Sequence, residues 1–344
     1  MKIGIITIYE PITNLGSFLQ AFALKTFLEK QGHDVYFIKN MSALKLAAKR
    51  VFKINPKREI FLRINKSIRF LSDNKKLKLI NKKNINKENF DLLIYGSDEI
   101  WNLENQYFAD GLFWGENTEN INKIGFAVSI GAMEEETAKN HALLTANIKN
   151  FNLIFPRDER TLKFVENITN QKCSLVCDPT ILLPLEEYIK PIKLPKEKYM
   201  LVYTYGVDKY MEERIVNFAR KHNLKIVSPC FWHLFADKVI ECSALQFSSL
   251  IAGAEYVFTS TFHGAIFTML NHKRCCILPV REKVSYVATQ FAQQDRLISH
   301  DITDEQFEKV ITKEFDTTSF EKEITLWREK SQNMLLEVLK CLGK

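Results

Sequence analysis

The stretch that decides the fold is Tyr256-Val-Phe-Thr-Ser-Thr-Phe-His-Gly-Ala-Ile-Phe267. An apolar run ends in hydroxyl residues, a histidine and a glycine, and apolar residues then return at helical spacing. This pattern predicts a strand, a turn and a helix, with His263 at the turn. In a parallel sheet such a turn lies where ligands collect and where helix N-terminal amides attract anions. His263 can therefore bind a phosphate or carboxylate or move a proton, and the alternative is that it only caps the helix.

Outward from this stretch, short apolar runs alternate with helical patterns along the whole chain. Such alternation predicts an α/β protein made of βα units with parallel sheets. Four prolines crowd residues 179–195, where the periodicity is weak, as expected between two cores. We therefore predict two Rossmann-like domains, residues 1–190, with a basic helical insertion at about 41–89, and residues 191–344, with a terminal helix.

Composition limits the class of protein. The 344 residues are 46% hydrophobic and 26% charged, which is typical of a soluble protein. No stretch approaches the roughly 20 apolar residues that span a bilayer, and the chain begins directly with a strand-like run, so a cytoplasmic protein is expected. The seven cysteines lack paired metal-type spacing. They are therefore interpreted as reduced structural thiols.

Positive charge is concentrated in one segment. Residues 45–87 contain fifteen Lys and Arg and only two acidic residues, Glu59 and Asp73. The segment thus carries +13, and because the whole chain carries +7, the remainder carries −6. Apolar residues recur within it at helical spacing, which predicts basic amphipathic helices. These can contact an anionic membrane or a pyrophosphate, or simply pack on their own domain, whereas no nucleic-acid module is recognisable.

Four other predicted strand ends carry polar turns. Carboxylates there can accept protons from sugar hydroxyls, an indole can stack on a pyranose, and a guanidinium can bind a carboxylate or phosphate with two bonds. The alternatives are helix capping for Asp98, a core position for Trp101, an ion pair for Arg157 and a turn-shaping role for Asp178. The candidates are Asn14, Gly16, Ser17; Gly96, Ser97, Asp98, Glu99, Trp101; Ser129, Gly131, Arg157, Arg160; and Asp178.

Taken in order, these motifs resemble those of the polysaccharide pyruvyl transferase family. The family pattern NxGxxLQAxAL corresponds to residues 14–24, and its G(S/G)DQxWN pattern corresponds to GSDEIWN at 96–102. A serine-glycine turn lies at 129–131, and FPRDE at 155–159 corresponds to the family's SVRE. DPTILL lies at 178–183, and TSTFHG at 259–264 corresponds to the family's TDSFHG. The sequence departs from the family at Ser260, which replaces an acid, at Thr261, and around Arg157.

The resemblance implies two Rossmann-like halves facing a cleft, similar to the GT-B glycosyltransferases. It also implies transfer of a carboxyethylidene group from phosphoenolpyruvate to a sugar, with phosphoenolpyruvate as donor substrate bound by Arg157 and His263. From the chemistry of ketal formation we expect His263 to bind the phosphate or act as the acid, and Asp98, or Glu99 in its place, to be the base. No cofactor or metal is expected, because the sequence shows no convincing ligand cluster. The remaining substrate-binding candidates are Ser260, Thr261, Phe262 and Gly264 of the turn, and Arg281 and Lys283 for charge neutralisation.

Two other functions fit the same sequence. One is a nucleotide-sugar glycosyltransferase of the same architecture, and the other is a noncatalytic protein that binds polysaccharide precursors. The replacement of the family's acid by Ser260 favours the second. The expected acceptor is a sugar of a surface polysaccharide, carried on a lipid pyrophosphate at the inner face of the membrane, with peripheral contact between the basic segment and that membrane.

Overall fold

The chain folds into two compact units. The computed structural model describes residues 1–9, 15–39, 64, 77–118 and 120–343. Among these, the first unit comprises residues 1–9, 15–39, 77–118, 120–185 and 326–343, and the second comprises Ile64 and residues 186–325. Asn14 and most of the predicted basic insertion lie outside the described residues.

A six-stranded parallel sheet forms the centre of the first unit. Its strand order is β3-β2-β1-β4-β5-β6, the order of a Rossmann fold, in which the chain switches direction between β1 and β4. The strands are nearly continuous apolar runs because helices cover both faces of such a sheet. Their bounds are β1 Lys2–Ile6, β2 Asp34–Lys39, β3 Leu79–Asn81, β4 Leu92–Tyr95, β5 Asn122–Val128 and β6 Leu153–Pro156.

The helix that follows β1 is buried on nearly every side. It spans Leu15–Lys30, and all of its residues from Leu15 to Leu28 are buried. Its apolar residues are spread around the helix instead of forming one stripe, as expected of a helix in a protein interior. The other helices of this unit are Glu135–Asn140, Ala142–Thr145, Glu159–Thr169 and Pro179–Leu182, with 3-10 turns at Lys82–Lys87, Gln106–Ala109, Gly111–Trp114 and Ala146–Asn150.

The second unit contains a five-stranded parallel sheet in the order β11-β10-β7-β8-β9. This is again a Rossmann-like order, with its switch point between β7 and β10. The strands are β7 Tyr199–Tyr203, β8 Lys225–Pro229, β9 Lys238–Ile240, β10 Tyr256–Thr259 and β11 Cys275–Ile277. Its helices are Lys209–Lys221, Ala244–Ala252, Phe262–Leu270, Glu282–Gln290 and Asp304–Thr312, with 3-10 turns at Glu186–Tyr188 and Gln294–Arg296.

The C-terminal helix, Thr317–Leu342, belongs to the first unit from Leu326 onward. The predicted boundaries grouped it with the second domain, although the sequence left open which domain it packs against, and three of its side chains contact the first unit. Arg328 Nε donates to the carbonyl of Ile181 (2.9 Å), Gln332 Nε2 donates to that of Leu182 (2.8 Å), and Ser331 Oγ accepts from the amide of Cys177 (2.9 Å). Hydrogen bonds to the backbone of residues 177–182 therefore hold this helix on the first unit.

Another expectation for the first unit is corrected. Residues 79–81, placed in the helical insertion, form β3, which pairs with β2 at the edge of the sheet. Residues 173–177 are irregular, and the amide of Val176 donates to the carbonyl of Pro156 (3.0 Å). None of the seven cysteines forms a disulfide. No helix among the described residues is both long and apolar enough to cross a bilayer.

Candidate functional site

The turn after β4 has a backbone that only particular residues permit. Gly96 has φ +115°, and a Cβ built on it would collide with the carbonyl oxygen of Phe126 on β5. Asp98 follows with φ +78°, a region that non-glycine residues seldom occupy. The amide of Ser129, just beyond β5, donates to the carbonyl of Asp98 (3.1 Å). Glycine at position 96 thus lets the turn lie against β5 and hold Asp98 at the end of the sheet.

Arg157 lies at the end of β6, between two aspartates. Its guanidinium donates to Asp178 Oδ2 (2.9 Å) and to Asp98 Oδ1 (3.4 Å). The side chains of Arg157 and Asp178 are 3% and 2% exposed, and that of Asp98 is 11% exposed. Burial lowers the pKa of Arg157, but the surrounding carboxylates, Asp98 first, outweigh it and hold that pKa above its ordinary value. Asp98 is therefore the most accessible member of a buried charged group.

A hydroxyl-amide network joins this group to β1 at the switch point of the sheet. Ser97 Oγ donates to Gln20 Oε1 (3.0 Å) and lies 3.5 Å from Asp178 Oδ2. Thr7, just past β1, donates from Oγ1 to the carbonyl of Ser97 (2.7 Å), and Gln20 Nε2 donates to the carbonyl of Ile8 (2.7 Å). Because ligands of open α/β sheets bind at switch points, this is the first candidate site.

The second unit has a corresponding turn after β10. Thr261 is the N-cap of the helix Phe262–Leu270, and its Oγ1 accepts from the amide of Gly264 (3.0 Å). A Cβ on Gly264 would collide with Oγ1 of Thr259 and of Thr261, so the helix can start this close to the strand only with glycine there. His263 is the second residue of the helix and is buried, with 8% exposure. The positive end of the helix dipole therefore lies beside His263.

Two hydroxyls meet at the switch point of the second sheet. Thr204, directly after β7, and Ser260, directly after β10, place their Oγ atoms 2.6 Å apart, and both side chains are buried. On the other side of the turn, Lys283 Nζ lies 5.4 Å from the ring centroid of Phe262, a cation–π distance. Arg281 is the exposed N-cap residue of Glu282–Gln290. Ser260, Thr261, Phe262, His263, Gly264 and Lys283 are thus brought together, with Arg281 at their edge.

The polysaccharide pyruvyl transferase family model matches residues 14–281. The chain belongs to this family. The match covers both switch-point turns, the Arg157 cluster and Asp178. No curated protein matches the sequence.

Solved structures show the class of fold. UDP-GlcNAc 2-epimerase from Methanocaldococcus jannaschii is 13% identical, with TM-score 0.60 over 99% of each chain. UDP-GlcNAc 2-epimerase from Neisseria meningitidis bound to UDP-GlcNAc is 12% identical, with TM-score 0.54 over 98% of this chain and 99% of that one. Arabidopsis thaliana UGT89C1 complexed with UDP is 10% identical, with TM-score 0.51 over 98% and 99%. These likenesses confirm the prediction of two Rossmann-like domains of the GT-B-like class.

The family's tryptophan in GSDEIWN is a core residue here. The sequence predicted that Trp101 stacks on a sugar, but its side chain has 0% exposure. Its ring lies 5.7 Å from those of Trp114 and Phe151, and its Nε1 donates to the carbonyl of Phe113 (2.8 Å). The prediction is therefore wrong for this structure, and the alternative of a core anchor is the correct one.

Other predicted site residues are engaged in shaping the turns. Ser129 Oγ accepts from the amide of Gly131 (2.9 Å), and a Cβ on Gly131 would meet the side chains of Glu99 and Asn102. Glu99 Oε2 accepts from Asn102 Nδ2 (3.3 Å). Glu99 therefore packs beside Gly131, and a role as base stays a prediction.

The remaining residues of the first unit lie at the edges of the candidate site. Gly16 and Ser17 are buried in the first turn of Leu15–Lys30. Arg160 is 37% exposed; it donates to the carbonyl of Met133 (2.8 Å) and lies 3.5 Å from Glu134. Asp178 caps Pro179–Leu182 by accepting from the amide of Thr180, the turn-shaping role left open above, in addition to its ion pair.

Sequence reasoning missed Gln20, Thr7 and Thr204. Gln20 had a usable signal, since it is a polar residue flanked by apolar ones in the sequence, and its side chain is fully buried. Thr204 directly follows the apolar run Tyr199–Tyr203 that forms β7, so its position had a signal of the same kind. Among the described residues, no group of three or more His, Cys, Asp or Glu side chains is arranged to hold a metal ion.

Proposed function

We propose that this protein transfers a carboxyethylidene group from phosphoenolpyruvate to a sugar of a surface-polysaccharide precursor, which forms a ketal and releases phosphate. The observation that carries the proposal is the family match over residues 14–281, which includes every motif placed at a strand end. The likeness to solved structures shows the fold alone and adds nothing about the donor.

The reaction defines what the side chains must do. Two sugar hydroxyl oxygens bond to C2 of phosphoenolpyruvate, the methylene carbon gains a proton and becomes a methyl group, and the C2–O bond to phosphate breaks. Of the two hydroxyl protons, one is matched by the new methyl proton and the other leaves with phosphate. The protein must therefore hold an anion, supply an acid and accept protons from hydroxyls.

In the second unit, we assign anion binding to the turn after β10. His263 sits at the N-terminus of a nine-residue helix, where the partial positive charge of the dipole favours a phosphate. Lys283, packed against Phe262, supplies a full positive charge next to the same turn. This turn is thus a good candidate for the phosphate of the donor.

In the first unit, we assign the role of base to Asp98. Its carboxylate is fixed by the amide of Glu99 (2.9 Å) and by Arg157, and it is the most accessible carboxylate of its cluster. Arg157 was predicted to bind the donor directly. Because its guanidinium is shared between two buried carboxylates, we propose instead that it orients Asp98, the ion-pair alternative that the sequence left open.

The test is a transfer assay with a matched histidine control. Purified protein is incubated with phosphoenolpyruvate and a panel of sugars and lipid-linked sugars, and phosphate release and a product heavier by one carboxyethylidene group are measured. His263→Ala should lower kcat/KM by about 100-fold or more. His300→Ala, at an exposed histidine, should leave it unchanged. Wild-type turnover by a folded His263→Ala protein would remove this residue from the site.

The same protein preparation separates the two alternatives. A glycosyltransferase would release a nucleoside diphosphate from a sugar nucleotide and would be indifferent to phosphoenolpyruvate. A noncatalytic binding protein would give no heat when titrated with millimolar phosphoenolpyruvate. Either result, without ketal formation, would overturn the proposed function.

A further inference from the structure

Two cysteine thiols meet where β8 and β9 end. Cys230 directly follows β8, Cys242 follows β9 by two residues, and their Sγ atoms lie 3.6 Å apart. Both side chains are buried, Cys230 with 8% exposure and Cys242 with 0%. Two thiols at van der Waals contact need only a small movement to reach the S–S bond length of about 2 Å. The pair is therefore a candidate site of disulfide formation.

The backbone of the two strands holds these cysteines together. The amide of Cys230 donates to the carbonyl of Ile240 (3.0 Å), which extends the parallel pairing of β8 with β9 by one residue. Cys230 itself has φ +63°, a region that non-glycine residues seldom occupy. Such a conformation persists only where the surrounding structure fixes it. The ends of β8 and β9 therefore keep the two thiols close.

The surroundings of the two sulfur atoms give the thiols different roles. Cys230 Sγ accepts from the amide of Cys242 (3.4 Å) and, as a thiol, donates to the carbonyl of the same residue (3.4 Å). The first bond favours the thiolate and the second favours the thiol, so exposure decides which cysteine reacts. Cys242 is fully enclosed, whereas part of Cys230 reaches the surface. An oxidant therefore meets Cys230 first, with Cys242 in contact behind it.

We propose that Cys230 and Cys242 are a modification site that hydrogen peroxide converts into a reversible disulfide. The Cys230 thiolate attacks one peroxide oxygen and the O–O bond breaks. The departing hydroxide takes up the proton that Cys230 lost, which leaves one water and a sulfenic acid on Cys230.

The second step joins the two sulfur atoms. Cys242 Sγ attacks the sulfenic sulfur of Cys230, the S–S bond forms and the S–O bond breaks. The departing hydroxide leaves with the proton of Cys242 as a second water. In sum, two thiols lose two protons and two electrons, and one peroxide is reduced to two waters. For this pair alone, the proposal departs from the interpretation of the cysteines as reduced structural thiols.

The disulfide restrains a segment next to the switch point of the second sheet. It closes a ring over residues 230–242, which contain β9 and Phe231. The Phe231 ring lies 5.3 Å from that of Tyr203, the last residue of β7, and 5.2 Å from that of Tyr205. Closing a ring removes freedom from the unfolded chain. The oxidised protein should therefore be more stable than the reduced protein.

Peptide mapping tests the bond without any assay of transfer. Trypsin cuts after Lys225, Lys238 and Lys273, so Cys230 and Cys242 lie on separate peptides, 226–238 and 239–273, each with a single cysteine. Native protein is treated with hydrogen peroxide, remaining thiols are blocked with iodoacetamide, and the digest is weighed by mass spectrometry. We expect the two peptides to be joined, lighter by two hydrogen atoms than their sum, and separated again by dithiothreitol.

The exposed Cys341 is the internal control, because its oxidation shows that peroxide was active. Recovery of peptides 226–238 and 239–273 unlinked, as blocked thiols or as sulfinic acids, while Cys341 is oxidised would overturn the proposal. Linkage of either peptide to a third cysteine would overturn it as well.

Two serine variants test the order of attack. In Cys242→Ser, the sulfenic acid on Cys230 has no thiol to react with, so dimedone should trap it. In Cys230→Ser, Cys242 should remain a thiol at the same peroxide concentration. Trapping on Cys242 in Cys230→Ser, with Cys230 unreacted in Cys242→Ser, would contradict the assigned roles.

Thermal unfolding measures the restraint. The Tm of oxidised wild-type protein should exceed that of reduced protein by roughly 5 °C. Peroxide-treated Cys230→Ser should show no such gain, which separates the disulfide from oxidation elsewhere in the chain. Equal Tm values for the oxidised and reduced wild-type proteins would show that the bond restrains nothing.

Discussion

At the scale of single residues, Gly96 offers the sharpest test of the first turn. Gly96→Ala combines a backbone conformation of φ +115° with a collision against the Phe126 carbonyl. Conformational strain and overpacking each cost about 1–3 kcal/mol, so the free energy of unfolding should fall by at least about 2 kcal/mol. The measurement is urea-induced unfolding of the wild-type and variant proteins.

Gly32 supplies the matched control for this substitution. It has φ +81°, but a Cβ there would have no atom within 4 Å. Gly32→Ala should therefore show the conformational cost alone, about 1 kcal/mol. Equal losses at the two positions would mean that the contact with Phe126 contributes nothing.

The ion pairs of Arg157 should differ in their contribution to stability. Asp178→Asn removes the shorter and more buried partner, and breaking a buried pair costs about 3–5 kcal/mol. Asp98→Asn removes the longer and more accessible ion pair, so it should cost clearly less stability. If Asp98 is the base, the same change should lower kcat about 100-fold or more. Denaturant unfolding measures the two stability losses, and the transfer assay measures kcat. A larger stability loss in Asp98→Asn would reverse our ranking of the two pairs.

His233 should make stability dependent on pH. Because the pKa of His233 in the folded protein is lowered from 6.5, chiefly by burial, the unfolded chain binds the proton first as the pH falls. The contribution of the neutral ring to the free energy of unfolding is fully present above pH 6.5, and it is lost as the pH falls through the lower folded-state pKa of His233. The stability difference between wild type and His233→Asn should therefore shrink on acidification between about pH 8 and pH 5. A difference that is constant across this range would contradict it.

Several residues that the sequence identified share one property: they lie within four residues of the end of an apolar run. Asp98, Arg157, Ser260 and His263 all do so, which is why a local pattern could place them at strand ends. Trp101 could not be resolved in this way, because its burial depends on two aromatic rings distant in sequence.

At the scale of elements, periodicity and length decided what could be predicted. Strands β4, β7 and β10 are each a continuous apolar run, which is the pattern that predicts a buried strand. Strand β9 was missed because three partly exposed residues show no period. The helix Asp304–Thr312 was missed despite a usable signal, the capping box of Thr303 and Gln306.

The C-terminal helix yields a prediction of its own. Ser331→Ala removes the acceptor of the buried Cys177 amide, a loss of about 1–3 kcal/mol in the free energy of unfolding. Thr318→Ala, at an exposed position in the first turn of the same helix, should change it by no more than about 0.5 kcal/mol. Similar small effects at both positions, measured by urea unfolding, would show that this hydrogen bond does not hold the helix to the first unit.

At the scale of the whole molecule, the same topology occurs twice. Both sheets are parallel, both have a Rossmann-like strand order, and in both the switch point is bridged by a strand-end hydroxyl, Thr7 to Ser97 in one and Thr204 to Ser260 in the other. The alternation of strands and helices was enough to predict the class of fold. It could not predict that the last helix returns to the first unit, because that depends on side-chain contacts with residues 177–182.

The charge distribution leads to a prediction about the membrane. Residues 45–87 carry +13 and the rest of the chain −6, so an anionic bilayer should attract this segment in particular. Each basic residue near such a surface contributes about 1 kcal/mol. Replacing Lys45, Lys49, Arg50 and Lys53 with Gln should therefore weaken binding to phosphatidylserine vesicles by up to roughly 1,000-fold at low salt.

The control removes the same charge elsewhere. Gln substitutions at Lys139, Lys163, Lys196 and Lys322, all exposed, should change vesicle binding much less because these lysines lie outside the basic segment. Sedimentation with phosphatidylserine and with phosphatidylcholine vesicles, at two salt concentrations, measures the effect. Equal weakening of vesicle binding by the two sets of substitutions would mean that the attraction depends on net charge alone and not on the basic segment. Electrostatic attraction must be lost with the charges that cause it. If both sets of variants bound vesicles as wild type does and still modified a lipid-linked acceptor fully, the basic segment would have no role at the membrane.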